Sequence, residues 1–214
     1  MSLLSGADVS DRPSTLLICC GAIAREIVSI VRDHGWDNIR VQCLPPILHN
    51  DPPKILEGVR RKIHENRDRF DRVLVMYGDC GTGGGLQAML EQEGIESIGG
   101  PHCYQAFAGD AYTRLMAEEP GTFFLTDYLA KNFERLVFKG LALDRFPKLR
   151  NTYFGRYRKM VYLAQTKDPA LEEMAREAAD SIGLELEVRF TALGRYVPFL
   201  ENRQVANEPP DRSS

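Results

Sequence analysis

An apolar run that ends in a glycine-rich turn and restarts as a helix restricts this chain's fold more than any other stretch. Arg72-Val73-Leu74-Val75-Met76-Tyr77 lacks polar alternation after its first residue, the pattern of a strand buried on both faces in a parallel sheet. It passes into Gly78-Asp79-Cys80-Gly81-Thr82-Gly83-Gly84-Gly85, and Leu86-Gln87-Ala88-Met89-Leu90 opens an amphipathic helix. Such a turn sits at a strand's carboxyl end, where open α/β sheets place their ligands. Its glycines allow positive φ and close backbone approach, and the helix N-terminus beyond them favours an anion or a thiolate.

The construction recurs twice. Thr15-Leu16-Leu17-Ile18-Cys19-Cys20-Gly21 is a strand followed by the helical Ala22 to Val28, and Ser97 to Cys103 is a short strand with a helix from Tyr104 onward. Cys20, Cys80 and Cys103 therefore occupy the same kind of position, and in one parallel sheet the three thiols could converge on a single crevice. Asn38 to Leu44 reads as the second strand, and the prolines of Pro45-Pro46-Ile47-Leu48-His49-Asn50-Asp51-Pro52-Pro53 stiffen a connection that sets His49 and Asn50 on that same edge. Lys54 to Phe70 has helical periodicity, and its Arg60-Arg61-Lys62 run is expected to be a solvated face. Helices follow at 104–119, interrupted by Ala108-Gly109, at 128–136 and at 169–182, with strands at 121–125, 159–164 and 184–190.

This alternation predicts an α/β fold: a single domain over 13–200, built on a mainly parallel, doubly wound sheet with helices on both faces. Residues 1–12 read as a flexible N-terminal arm and 201–214 as a disordered C-terminal tail. Residues 137–158 are irregular, aromatic and basic, which suits a lid, a docking face or a packed connection.

The net charge of -3 and the lack of a basic stripe give no support for nucleic-acid binding. No apolar run approaches the roughly 18 to 20 residues of a membrane span, and the N-terminus lacks a signal-peptide pattern, so a cytoplasmic location is expected. Five cysteines then read as thiols or metal ligands more readily than as disulfides.

Cys20, Cys80 and Cys103, with His49 on their edge, are soft and borderline donors suited to an iron-sulfur cluster or, alternatively, to zinc. Three cysteines without a fourth would leave a metal position open to a small acid or thiol substrate. No C-x-x-C pair reinforces this set, and buried free cysteine also packs as a small apolar residue, the reading given to Cys19 and Cys43. His102, next to Cys103, is a candidate acid or base, and with that thiol it offers a metal-free cysteine nucleophile. Asp79 could orient the histidine or a ligand, or hold an Asx turn. Gly83, Gly84 and Gly85, with Asn50, are candidates for holding a substrate carboxylate or phosphate. Neither a Walker sequence nor the dinucleotide glycine motif is present.

Six collinear segments carry a resemblance. Cys20 to Ile27, Leu48-His49-Asn50, Asp79 to Gly84, Gly100 to Tyr104, Gly121 to Asp127 and Val161 to Thr166 are similar to those of domain-of-unknown-function family 1638, an uncharacterised prokaryotic family. The resemblance brings no activity with it. It implies occurrence alongside corrinoid-dependent methyltransferase systems for methylamines and betaines, and so an accessory role in one-carbon metabolism. Two classes of function follow: a metal-dependent enzyme, and a binding or delivery module for a corrinoid methyltransferase component.

Overall fold

The computed structural model describes residues 13–205; the expected N-terminal arm at 1–12 lies outside the described residues, as do residues 206–214 of the expected tail. The fold is α/β, with parallel sheets and helices packed against them. The strands lie in two sheets, one of four and one of three, rather than in the single sheet expected. Contacts likewise divide the chain into two compact units, one reaching Gly99 and resuming at Val197, the other Gly100–Tyr196.

In the first unit β1 (Thr15–Cys20), β2 (Ile39–Leu44), β3 (Arg72–Met76) and β4 (Glu96–Ser97) are all parallel, in the order β2-β1-β3-β4. β1 and β3 are the inner strands, which explains their unbroken apolar runs. Leu16 and Ile18 of β1 share one face with Val73 and Val75 of β3, and that face packs on Ile55, Val59 and Ile63 of α2 (Pro52–Asn66) and Leu86, Met89 and Leu90 of α3 (Gly85–Glu93). The four-residue spacing in α2 puts its apolar side chains on one stripe. Its opposite face carries Arg60, Arg61 and Lys62, which pair with Glu93 and Glu65, so the run is a solvated charged surface. β4 is two residues long and polar, as suits an edge strand.

The expected tail begins too early. Residues 201–205 are helical, the end of a Tyr196–Val205 helix that the sequence reading did not predict. Arg203 in it bonds to Glu96, and Gln204 accepts from Asn38 at 3.4 Å, so it is tied to the sheet's flank. Cys43 was expected to be buried and is exposed, because β2 is an edge strand; Cys19, one strand inward, is buried.

The second unit centres on β6 (Lys159–Ala164), flanked in parallel by β5 (Thr122–Thr126) and β7 (Glu185–Phe190). One face carries Phe124, Val161 and Leu163 against Leu115, Tyr104 and Tyr112; the other carries Leu125, Met160 and Tyr162 against Phe133, Phe154 and Ala175 to Ile182. The strand ends are tied by buried Asp127. Its Oδ1 accepts from the Tyr162 hydroxyl at 2.7 Å and the Gln165 N–H at 2.9 Å, and its Oδ2 from the Thr166 N–H and hydroxyl. In the irregular segment 137–158, Leu143 and Phe154 are buried, while Phe146 and Tyr153 are 58% and 46% exposed.

Candidate metal centre

In the order β2-β1-β3-β4 the chain moves to one side of β1 for β2 and to the other for β3. Such a reversal opens a crevice beyond the carboxyl ends of the two strands. Cys20 ends β1, and Cys80 lies four residues past the end of β3. After β2 the chain turns through a 3-10 segment, Pro46–Asn50, which passes close to β1. A Cβ on Gly21 would meet Pro46 at 2.9 Å and the Leu44 carbonyl at 3.1 Å, so only glycine lets the two segments approach this closely. His49, near the end of that segment, thereby brings a ring nitrogen within 4.8 Å of the Cys80 sulfur.

A tetrahedral ion with bonds of about 2.0 Å to nitrogen and 2.3 Å to sulfur separates its ligand atoms by roughly 3.5 Å. Rotamer adjustment of about 1 Å would therefore bring His49 and Cys80 to bonding separation. His49 is exposed at the residue level, yet partial desolvation holds its pKa below the ordinary histidine value. Its neutral, ligating form is thus the main one at neutral pH.

Cys80 has φ of 47°, in the left-handed region, amid glycines at 81, 83 and 84 that share positive φ. A side chain at such a position costs of order 1 to 2 kcal/mol that glycine does not incur. The turn keeps a thiol where the backbone alone would favour glycine.

Asp79 does the work of the Asx turn. Its Oδ1 accepts from the Thr82 hydroxyl and from the Gly84 N–H at 2.8 Å, while the Gly85 N–H donates to the Thr82 carbonyl. This answers the expectation that Gly83, Gly84 and Gly85 cradle a substrate anion: the protein's own carboxylate and a carbonyl take up the Gly84 and Gly85 donors. It also commits one oxygen of Asp79 to the fold. Asn50 is exposed at the end of the 3-10 segment.

Cys20 has partners of its own. Its sulfur accepts from the Ala22 N–H at 3.4 Å. Burial pushes the Cys20 thiol up, and the Ala22 N–H and the neighbouring Tyr77 hydroxyl oppose the rise. Burial first, then the neighbouring cysteines, raise Tyr77 far above the ordinary phenol range, so it remains a donor. Tyr77 is the site residue the sequence reading passed over. The signal was available: a phenol at the carboxyl end of an otherwise aliphatic buried strand.

Cys103 and His102 belong to the second unit. His102 caps the Cys103–Ala108 helix, its Nδ1 accepting from the Tyr104 N–H at 3.4 Å and lying 3.3 Å from the Cys103 sulfur. Its ring stacks on Tyr104 with centroids 4.0 Å apart. Histidine here is both a capping residue and a partner of the adjacent thiol.

A family model described as protein of unknown function (DUF1638) matches residues 43–200. The chain belongs to this family. No curated protein and no solved structure matches it. The span matched to DUF1638 contains His49, Cys80, His102 and Cys103 and begins beyond Cys20. Among the described residues no helix is long and apolar enough to cross a membrane.

Proposed function

We propose that the protein holds a zinc-type divalent ion at the carboxyl edge of its first sheet, with His49 and Cys80 as ligands and open positions for a small acid or thiol substrate. The observation that supports this is the approach of the His49 ring nitrogen to the Cys80 sulfur within 4.8 Å beside the strand-order reversal. A nitrogen and a sulfur are the mixed donors zinc accepts readily, whereas iron-sulfur clusters take mainly thiolates. Bound there, the ion would act as a Lewis acid toward a substrate carbonyl, water or thiol. The chain's own residues position it: Asp79 fixes the turn that presents Cys80, and Gly21 admits the segment that presents His49.

The test is iron, zinc and acid-labile sulfide content of protein purified without oxygen, beside Cys80→Ser and His49→Ala variants. Zinc near one per chain without sulfide, lost in both variants, is expected. Iron with sulfide would replace the zinc centre by a cluster. A metal-free parent, or metal kept in both variants, overturns the proposal.

The 3.3 Å approach of Cys103 Sγ to His102 Nδ1 favours a second, metal-free reading, a cysteine nucleophile with histidine as its base. It predicts that His102→Ala slows alkylation of Cys103 about tenfold at neutral pH. For a partner, the reading suggested by the family resemblance is a corrinoid methyltransferase component docking on 137–158, where Phe146 and Tyr153 are exposed. Replacing both with alanine must then abolish the association and leave metal content unchanged.

A further inference from the structure

Cys19 and Cys43 stand directly opposite one another in the β1–β2 ladder, and their sulfurs lie 3.3 Å apart. Register partners on adjacent strands project to the same face, so the backbone itself brings the two thiols together. A disulfide requires a sulfur separation of about 2.05 Å, which leaves about 1.2 Å to close by side-chain rotation. The pair is asymmetric: Cys43 is exposed on an edge strand, and Cys19 is 0% exposed. Either thiol can donate to the other across this gap, and with Cys19 as donor the hydrogen bond lowers the Cys43 thiol to about 7.

We propose that Cys19 and Cys43 form a reversible dithiol–disulfide site whose substrate is a small-molecule disulfide. The exposed Cys43 thiolate attacks one sulfur of R–S–S–R, forming a Cys43–S–S–R bond and expelling RS⁻, which takes up a proton. The Cys19 sulfur then attacks Cys43 Sγ, its proton passing to the departing sulfur, so that the Cys19–Cys43 bond forms, the Cys43–S–S–R bond breaks and the second RSH leaves. Two protein thiols and one R–S–S–R become one protein disulfide and two RSH, with two electrons passing from protein to reagent. The cross-link ties β1 to β2 one residue ahead of Cys20 and shortly ahead of the segment carrying His49. It is independent of any metal at His49 and Cys80.

The experiment treats the native full chain with oxidised glutathione, blocks remaining thiols by alkylation, and maps the peptides by mass. The parent and Cys20→Ser are expected to give a Cys19–Cys43 cross-link that dithiothreitol reverses. Cys43→Ser loses it entirely. Cys19→Ala stops at one glutathione adduct on Cys43. A parent that keeps both thiols, stops at the mixed disulfide, or links Cys43 to Cys20 overturns the proposal. Cys43→Ser changes an exposed side chain, so its readout does not depend on tolerance of a core substitution at Cys19.

Discussion

If Cys80 is kept for its thiol and not for packing, glycine should replace it at little cost to stability. Cys80 sits at φ of 47° and is 8% exposed within the α2/α3 core. Replacing it with glycine relieves about 1 to 2 kcal/mol of left-handed strain. Against that, it gives up about 1 kcal/mol of side-chain burial and adds about 0.5 to 1 kcal/mol of unfolded-state entropy. The contributions nearly cancel, so Cys80→Gly should lie within about 1 kcal/mol of the parent, or roughly 2 to 4 °C in Tm. Cys80→Ala keeps the strain and loses only the sulfur's burial, and should lie within about 1 kcal/mol of the glycine variant. Thermal melts of metal-free parent and variants, followed by circular dichroism, measure this directly. A glycine variant destabilised by more than about 3 kcal/mol, or one more than about 2 kcal/mol less stable than the alanine variant, would refute the argument.

Tyr77→Phe removes the hydroxyl that helps hold the Cys20 thiol down, so that thiol rises further and its alkylation at pH 8 slows. Asp127→Asn turns one of the two acceptor oxygens into a donor, facing either the Tyr162 hydroxyl and Gln165 N–H or the Thr166 N–H and hydroxyl, and should cost about 3 kcal/mol, read as a lowered urea midpoint. Metal affinity should weaken as pH falls through the pKa of His49, because the protonated ring cannot ligate. Since desolvation holds that pKa below the ordinary histidine value, binding followed by titration calorimetry should persist to a lower pH than an ordinary histidine would allow.

Strand and helix periods were legible because burial on both faces leaves a plain mark: Leu16-Leu17-Ile18 and Val73-Leu74-Val75 admit few alternatives to inner parallel strands. The position type of Cys20 and Cys80 was legible for the same reason. Sheet membership was not. Thr122-Phe123-Phe124-Leu125-Thr126 carries an unbroken apolar centre as β3 does, and such a strand reads alike in either sheet. What marks the break is β4, whose Glu96–Ser97 is too short and polar to be anything but an edge. The reading of Cys20, Cys80 and Cys103 as one set rested on strand ends being equivalent, and Cys103 lies in the second unit. Equivalence of local position carries no information about distance, because distance is set by strand order. Within the first unit the donor that reaches Cys80 is His49, which is on no strand. It arrives through a proline-fixed turn whose approach depends on a missing side chain at Gly21. The residues that assemble the pair are thus a proline, a glycine and an aspartate without metal chemistry of their own, and a search for ligand types passes over all three. Gly21→Ala follows as a test of that assembly: with a Cβ 2.9 Å from Pro46 the Pro46–Asn50 segment must shift, and metal affinity should fall although every ligand remains. Unchanged affinity, read by zinc titration against a chelator, would detach His49 from the centre.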